Sequence, residues 1–397
     1  MKILAIFDLN LGLRMAHDTF LFKMCNALAR SGHKVSFLVG SGDNIDDLWK
    51  YYGVPFNENM TVIRVPRVHR KRVPVIGLKI SLTGVFNFAC ASAIKRIYRK
   101  EGIDAVYLSG IKPAELFLKL RGKVPVPYIY EVHQIYSEDY PKSDYADRER
   151  EILKNAHRII TTTSALKKKL IGVYGLDENK IEVVHLATDI VENEGCLDHN
   201  RGLTPEKKTM DLCYFGQLYH LQGIEVAIES LRHIDAAVRL HIFGGTQKRT
   251  DELTSFAEQT GVAARVVFHG FTAPSELRRT VQELGPVLIM PSLSAGRMDY
   301  VAHSKIYEYL SYGLPIVASD LSSVREVLSE GDAAVLVEPN STEALAAGIK
   351  QVLNDSAVAA SLGMHARKLA LKYSWEERER QLTCIFETTR LSGGLRS

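Results

Sequence analysis

Cysteine is scarce in this chain of 397 residues. There are five, Cys25, Cys90, Cys196, Cys213 and Cys384, odd in number and spread far apart. None forms a Cys-x-x-Cys pair, which excludes a disulfide framework or a cysteine-built zinc site and suits a reducing compartment. Long apolar runs are missing too. The longest uncharged stretch, Ile80–Ile94, is too short to span a bilayer and contains Ser, Thr, Asn and Gly. Charge of one sign is not in excess: 50 Lys and Arg stand against 46 Asp and Glu, a net +4, so composition carries no argument for nucleic acid. No Gly-x-Gly-x-x-Gly follows the first strand of either half, which argues against a dinucleotide oxidoreductase. No repeat of solenoid period and no low-complexity tract occurs, and no carboxylates stand at a metal-binding spacing. The opening MKILAIFDL reads as a strand rather than a secretory leader. The expectation is a cytoplasmic protein, or one peripheral on the inner face of a membrane.

What is present is a regular alternation of short apolar runs and helical patterns, with an ordinary 46% hydrophobic and 24% charged residues. The length suffices for two domains with full cores. Lys2–Phe7, a loop containing Gly12, a helix from Thr19 to Ser31 closed by Gly32, and Lys34–Val39 form a βαβ unit. Further strands are expected at Val62–Pro66, Ala105–Ser109, Pro127–Glu131, Arg158–Thr163 and Val183–Ala187. A polar stretch at 192–208, containing Gly and Pro and lacking apolar period, reads as a linker. The alternation then restarts at Leu212–Phe215 and continues through Arg239–Phe243, Val266–Phe268 and Val335–Val337. The segment Arg67–Lys79 carries Arg67, Arg70, Lys71, Arg72 and Lys79 among Val73, Val75, Ile76 and Leu78. It reads either as a solvated loop or as a basic edge for anionic lipid headgroups. Aromatic residues are not interleaved with its charges, which disfavours nucleic acid.

The densest signal lies from Gly285 to Val327. Two apolar runs, Val287–Met290 and Leu314–Ala318, have the composition of buried parallel strands. Between them the spacing predicts a helix from about His303 to Tyr312, stopped by Gly313 and kept from resuming by Pro315. Lys305, Glu308 and Tyr309, at i, i+3 and i+4, are expected to share one face near the helix start. Free N–H groups, the helix dipole and a lysine together suit a phosphate, and a glutamate one turn on suits sugar hydroxyls. An exposed Lys305–Glu308 ion pair on an ordinary helix is the other reading of the same spacing.

The wording of this stretch resembles the donor motif of the large retaining glycosyltransferase family 4, of GT-B fold. Pro291-Ser292, Lys305-x-x-Glu308-Tyr309, Gly313-x-Pro315-Ile316-Val317-Ala318-Ser319-Asp320 and Arg325-Glu326-Val327 fall in the family's order. The family's Glu-x7-Glu is incomplete, because its first position is Tyr300. Upstream, Gly216-Gln217-Leu218 and Gly223 match the family's phosphate loops, with Gln222 where the family carries a lysine. Of its Pro-Asn-Gly-Val-Asp, only Asp189 survives.

The resemblance implies an α/β protein of GT-B fold, two Rossmann-like domains facing across a cleft. The parts would be an acceptor domain at 1–191, the linker, a nucleotide-sugar domain at 209–374, and a helix at 375–397 that crosses back to the first domain. It implies Glu308 and His133 as catalytic residues, and Gly12, Gly216, Gln217, Gln222, Phe271, Arg297, Lys305 and Tyr309 as substrate-binding ones. No metal or other cofactor is expected. The partners would be a nucleotide-sugar donor, a glycan or lipid-linked acceptor and an anionic membrane surface, and not nucleic acid. A GT-B sugar-nucleotide epimerase or hydrolase, or a scaffold that has lost donor binding, are the other readings. The missing lysine at Gln222 and the missing glutamate at Tyr300 keep the scaffold open.

Overall fold

A computed structural model of the chain describes residues 1–10, 16–40, 47–65, 82–141, 144–190 and 211–393. Gly12, the basic segment Arg67–Lys79 and the linker at 192–208 lie outside the described residues. The chain divides into two units, one comprising Met1–Thr162, Leu166–His185 and Trp375–Ser397, the other Thr163–Ala165 and Leu186–Ser374.

Unit 1 is built on seven strands: β1 (Lys2–Asn10), β2 (Lys34–Gly40), β3 (Met60–Val65), β4 (Ala105–Ser109), β5 (Tyr128–Val132), β6 (Arg158–Thr161) and β7 (Ile181–Val183). They form one sheet in the order β3-β2-β1-β4-β5-β6-β7, and every pairing is parallel. Parallel strands covered by helices on both faces are apolar throughout, and β4 and β5 are buried at every position. One face packs against the helix Ala16–Arg30 through Leu21, Phe22, Cys25 and Leu28. The carboxy-terminal helix, Trp375–Gly393, adds Leu382, Ile385 and Phe386 to the same core.

Unit 2 repeats the plan with six strands: β8 (Leu212–Phe215), β9 (Leu240–Phe243), β10 (Val266–Gly270), β11 (Val287–Met290), β12 (Ile316–Ser319) and β13 (Ala334–Val337). Their order is β10-β9-β8-β11-β12-β13, again all parallel. The sheet reverses its direction of growth between β8 and β11. In open α/β sheets such a switch point leaves a crevice beyond the strand ends, because the flanking helices depart to opposite faces.

The expected α/β class is therefore observed, with most strand limits within two residues. Two helices that hydrophobic period did not announce are Gln247–Gln259 and Pro274–Leu284. The first fully buries only Leu253 and Ala257 and the second only Val281, so each rests on the core through a narrow apolar edge. Their ends carry the local chemistry instead: Thr246 accepts from the Arg249 N–H, and Gly285 closes the second helix at φ 52°. Among the described residues no helix is long and apolar enough to cross a membrane.

Candidate functional site

The loops beyond β8, β9 and β11 meet at the switch point of unit 2, and glycines make the meeting possible. Gly216 ends β8 at φ 135°, and its N–H donates to the Phe243 carbonyl at 3.0 Å. A Cβ on Gly244 would stand 2.3 Å from the Gly216 carbonyl oxygen. Gly223, at φ 69°, follows the short turn His220–Gln222, and a Cβ there would stand 1.8 Å from the Pro291 oxygen. The Leu293 N–H donates to the Leu221 carbonyl at 3.0 Å, so the loop after β8 lies directly on the loop after β11. Beside this point a cavity of about 280 Å³ is lined by Gln217, Tyr219, His220, Gly245, Thr246 and Arg249.

Into this junction the helix Ser304–Tyr312 sends Lys305. The ammonium donates to the Tyr214 hydroxyl and, at 2.6 Å, to the Gln222 Oε1. It also lies 4.0 Å from the centre of the Tyr214 ring. The Tyr214 hydroxyl itself donates to the Gln217 carbonyl at 2.6 Å. A Cβ on Gly216 would press on Lys305 Cε at 3.3 Å, so the stem of the lysine runs flush against the backbone of the β8 loop. Both acceptors of the ammonium are neutral oxygens. Burial pulls the Lys305 pKa down from its usual value to about 7, and the charge of Glu308, one turn along, only partly opposes that. A cation held among neutral dipoles, beside backbone N–H groups at a helix start, is an arrangement suited to an anion.

The helix does not present Lys305, Glu308 and Tyr309 on one open face, as their spacing suggested. Glu308 is exposed, Lys305 is half-buried and Tyr309 is buried completely. The Tyr309 hydroxyl donates to the Ile289 carbonyl and accepts from the Phe215 N–H, and its ring packs against Phe215 at 4.5 Å. Tyr309 is thus expected to position the helix across β8 and β11 rather than to touch a ligand. Arg297 is exposed on the short turn Gly296–Asp299, and Phe271, 62% exposed, follows β10. Gln217 is exposed at the junction, and Gln222 lies against Lys305.

Three further residues of this site were given no role by the sequence, although Ser292 stands in the Pro291-Ser292 pair and His303 at the predicted helix start. Tyr214 is a strand residue whose pattern says only that it is buried. Ser292 is fully buried and its Oγ has no hydrogen-bond partner among the described residues. His303 precedes the helix, is 7% exposed, and bonds through Nε2 to the Met298 carbonyl at 2.9 Å. Burial pushes the His303 pKa down to about 4, so the ring is neutral and carries its proton on Nε2.

In unit 1, His133 stands just past the end of β5, with Nε2 3.0 Å from Glu131 Oε1. Glu131 is buried and is held from β4 by the Tyr107 hydroxyl and from the carboxy-terminal helix by Arg378. The remaining residue expected in this unit, Gly12, is not described.

The family described as Glycosyl transferases group 1 matches residues 198–369, and Glycosyltransferase Family 4 matches residues 18–192. A D-inositol 3-phosphate glycosyltransferase of Rhodococcus opacus is 26% identical over 241 residues, 57% of this chain and 52% of that protein. The match thus spans about half the length of that curated relative. The structure of Anabaena HepE in complex with UDP superimposes with a TM-score of 0.76 at 16% identity, covering 98% of this chain and 100% of that one. A sucrose-phosphate synthase of Thermosynechococcus elongatus does so with a TM-score of 0.76 at 17% identity, covering 99% and 100%. At these identities the likeness concerns the fold, which is GT-B.

Proposed function

We propose that this chain, whose two halves match glycosyltransferase family models, moves a sugar, with retention of anomeric configuration, from a nucleotide-diphosphate sugar to an acceptor. The observation that carries this reading is the Lys305 ammonium, set at the junction of three strand-end loops and bonded, among the described residues, to two neutral oxygens. A diphosphate is the anion that fits. Its charge grows as the sugar departs, so a fixed cation and helix N–H groups stabilise the transition state more than the bound donor.

In this reading Gly216 lets the backbone approach the phosphates, and Gln217 and Gln222 donate hydrogen bonds beside Lys305. Arg297 is a second cation, and Phe271 stacks on the base. Glu308, exposed one turn beyond Lys305, accepts from donor hydroxyls. His133 of unit 1 serves the sugar under transfer. Lysine and helix terminus supply the positive charge, so no metal or other cofactor is assigned. The first donor to test is a UDP-sugar, since HepE, similar in fold, was solved with UDP. The acceptor is a glycan or a lipid-linked precursor. The basic segment Arg67–Lys79, followed by the helix Leu82–Lys100 with Lys95, Arg96, Arg99 and Lys100 at its end, would bring the enzyme to an anionic membrane surface.

The experiment is a panel of nucleotide sugars, read by calorimetric binding and by release of nucleoside diphosphate, with wild type and Glu308→Ala. Wild type is expected to bind and turn over at least one donor, and Glu308→Ala to bind it weakly and lose most turnover. A wild type that binds none of the panel would return the chain to a scaffold. Near-normal turnover by Glu308→Ala would remove that residue from the site.

A further inference from the structure

The sheet of unit 1 also reverses its direction of growth, between β1 and β4. These two strands run side by side to their carboxyl ends, where Phe7 is level with Ser109. The helix that follows β1, Ala16–Arg30, packs on the face that carries Ala5, Phe7, Tyr107 and Ile129. The helix that follows β4, Ile111–Leu118, lies on the other face, where Phe117 meets the Tyr128 ring at 5.7 Å. Helices that part in this way leave a crevice beyond β1 and β4, as their counterparts do beyond β8 and β11.

Asp18 stands in the first turn of the helix Ala16–Arg30. Leu21, Phe22 and Cys25 follow it at i+3, i+4 and i+7, and all three belong to the core. Asp18 therefore continues the sheet-facing stripe by one more turn, toward the carboxyl ends of the strands. Phe20 marks the same level, since its ring lies edge-on to that of His133, just past β5, at 6.0 Å. An acid at a helix start is ordinarily solvated on the outer face, where the helix dipole favours it. Asp18 is instead 4% exposed, and its Oδ2 is buried with no hydrogen-bond partner among the described residues. Burial pushes its pKa up to about 6, so the group is ionised at neutral pH. The apolar stripe thus ends in a buried, uncompensated carboxylate, at the end of the sheet where ligands bind.

We propose that Asp18 is a binding residue for the acceptor, its carboxylate accepting a hydrogen bond from a sugar hydroxyl. This rests on the transferase reading given under Proposed function, and it names the group that the acceptor presents to unit 1. A hydroxyl donor gives the carboxylate a charge-assisted bond, which is the strong kind, and needs no change of protonation on either side. An acid kept in an apolar stripe weakens the fold, and such residues are retained where they meet a ligand.

Asp18→Asn keeps the shape and removes the charge, and it separates a binding residue from a structural one. In the unliganded protein its urea midpoint at neutral pH should be higher than that of wild type, because the uncompensated charge is gone. Methyl glycosides of glucose, galactose, mannose and N-acetylglucosamine are then titrated against both proteins, with and without UDP, and read by calorimetry. Wild type is expected to bind at least one of them, and Asp18→Asn to bind it about tenfold more weakly or worse. Affinity for UDP should stay within about twofold. A variant less stable than wild type would show that the carboxylate serves the fold, and would overturn the proposal. Unchanged glycoside binding by the variant overturns it too, as does a wild type that binds UDP and none of the glycosides. A wild type that binds a glycoside but no nucleotide would remove the transferase reading, while the stability and glycoside measurements would still decide the role of Asp18, so the two failures are distinct.

Discussion

A lysine whose ammonium meets a tyrosine hydroxyl and an amide oxygen has lost water without gaining an anion. Burial therefore holds Lys305 at about 7. Below that value the side chain is charged and ready for a diphosphate. Above it the free enzyme must take up a proton to bind donor, so kcat/KM for the donor should fall about tenfold per pH unit on the alkaline side of about 7. Lys305→Arg should lose that limb, since a guanidinium stays charged. A flat wild-type profile from pH 6 to 9 would show that Lys305 does not face the phosphate. The same geometry would let Lys305 serve in place of the lysine that the family carries at Gln222. The ammonium of Lys305 ends 2.6 Å from the Gln222 Oε1, so the cation enters from the helix instead of the loop. Lys305→Ala is expected to lower both turnover and donor affinity, by about 2–4 kcal/mol. Gln222→Lys in that background should recover part of it, because it returns a cation to the same point. No recovery in the double variant, measured by steady-state kinetics, would mean that the two positions are not equivalent. Lys305 and Gln222 could be singled out in the sequence because their identities depart from, or conform to, a motif. Tyr214 could not, because a buried strand residue looks the same whether or not its polar atom serves a site.

At the scale of the element, the helix Ser304–Tyr312 was readable in advance, with its glycine stop and the proline beyond. Which of its residues would face outward was not. Positions three and four residues on from Lys305 lie about 60° to one side and about 40° to the other, at about 100° per residue. Lys305 sits on the border between those directions, so Glu308 falls on the open side and Tyr309 on the sheet side. The turn before the helix is pinned by His303, whose Nε2–H bonds to the Met298 carbonyl, which also accepts from Ser323. The folded-state pKa of His303 is depressed to about 4, so the native state resists the proton that the unfolded chain accepts near 6.5. Stability from this group is complete above about pH 6.5 and is lost as pH falls through the window down to about 4. The full loss is on the order of 3 kcal/mol. Urea midpoints at pH 7 and pH 4.5 should differ more for wild type than for His303→Gln, which has no proton to take up. Equal pH dependence in the two proteins would remove His303 as the cause.

For the whole molecule, two βαβ series could be read from the sequence because parallel strands buried on both faces must be short apolar runs, and these recur at regular intervals. The pairing of Glu131 with Arg378, 247 residues apart, could not. Local period says nothing about which charge of a polar helix will be taken inside. Unit 1 is completed by the carboxy-terminal helix, which buries Leu382, Ile385 and Phe386 and supplies the cation for Glu131. A chain ending at Ser374 should lose about 1.5–3 kcal/mol for each of those apolar side chains and leave a buried carboxylate uncompensated. Hydrogen exchange is expected to report lost protection in β1, β2, β4 and β5 while β8, β9 and β11 keep theirs. A uniform loss across both sheets, or none, would contradict this division. The arrangement also sets an order in time. Residues 186–374 emerge from the ribosome between the two parts of unit 1, and at roughly 5–20 residues per second they take on the order of ten to forty seconds. Through that interval the nascent chain carries a sheet whose Tyr107, and a helix Ala16–Arg30 whose Phe20, lack the Phe386 and Trp375 that finally pack against them. The second unit to begin synthesis is then the first that can finish folding, and the first waits, open to chaperones, until Trp375–Gly393 has been made.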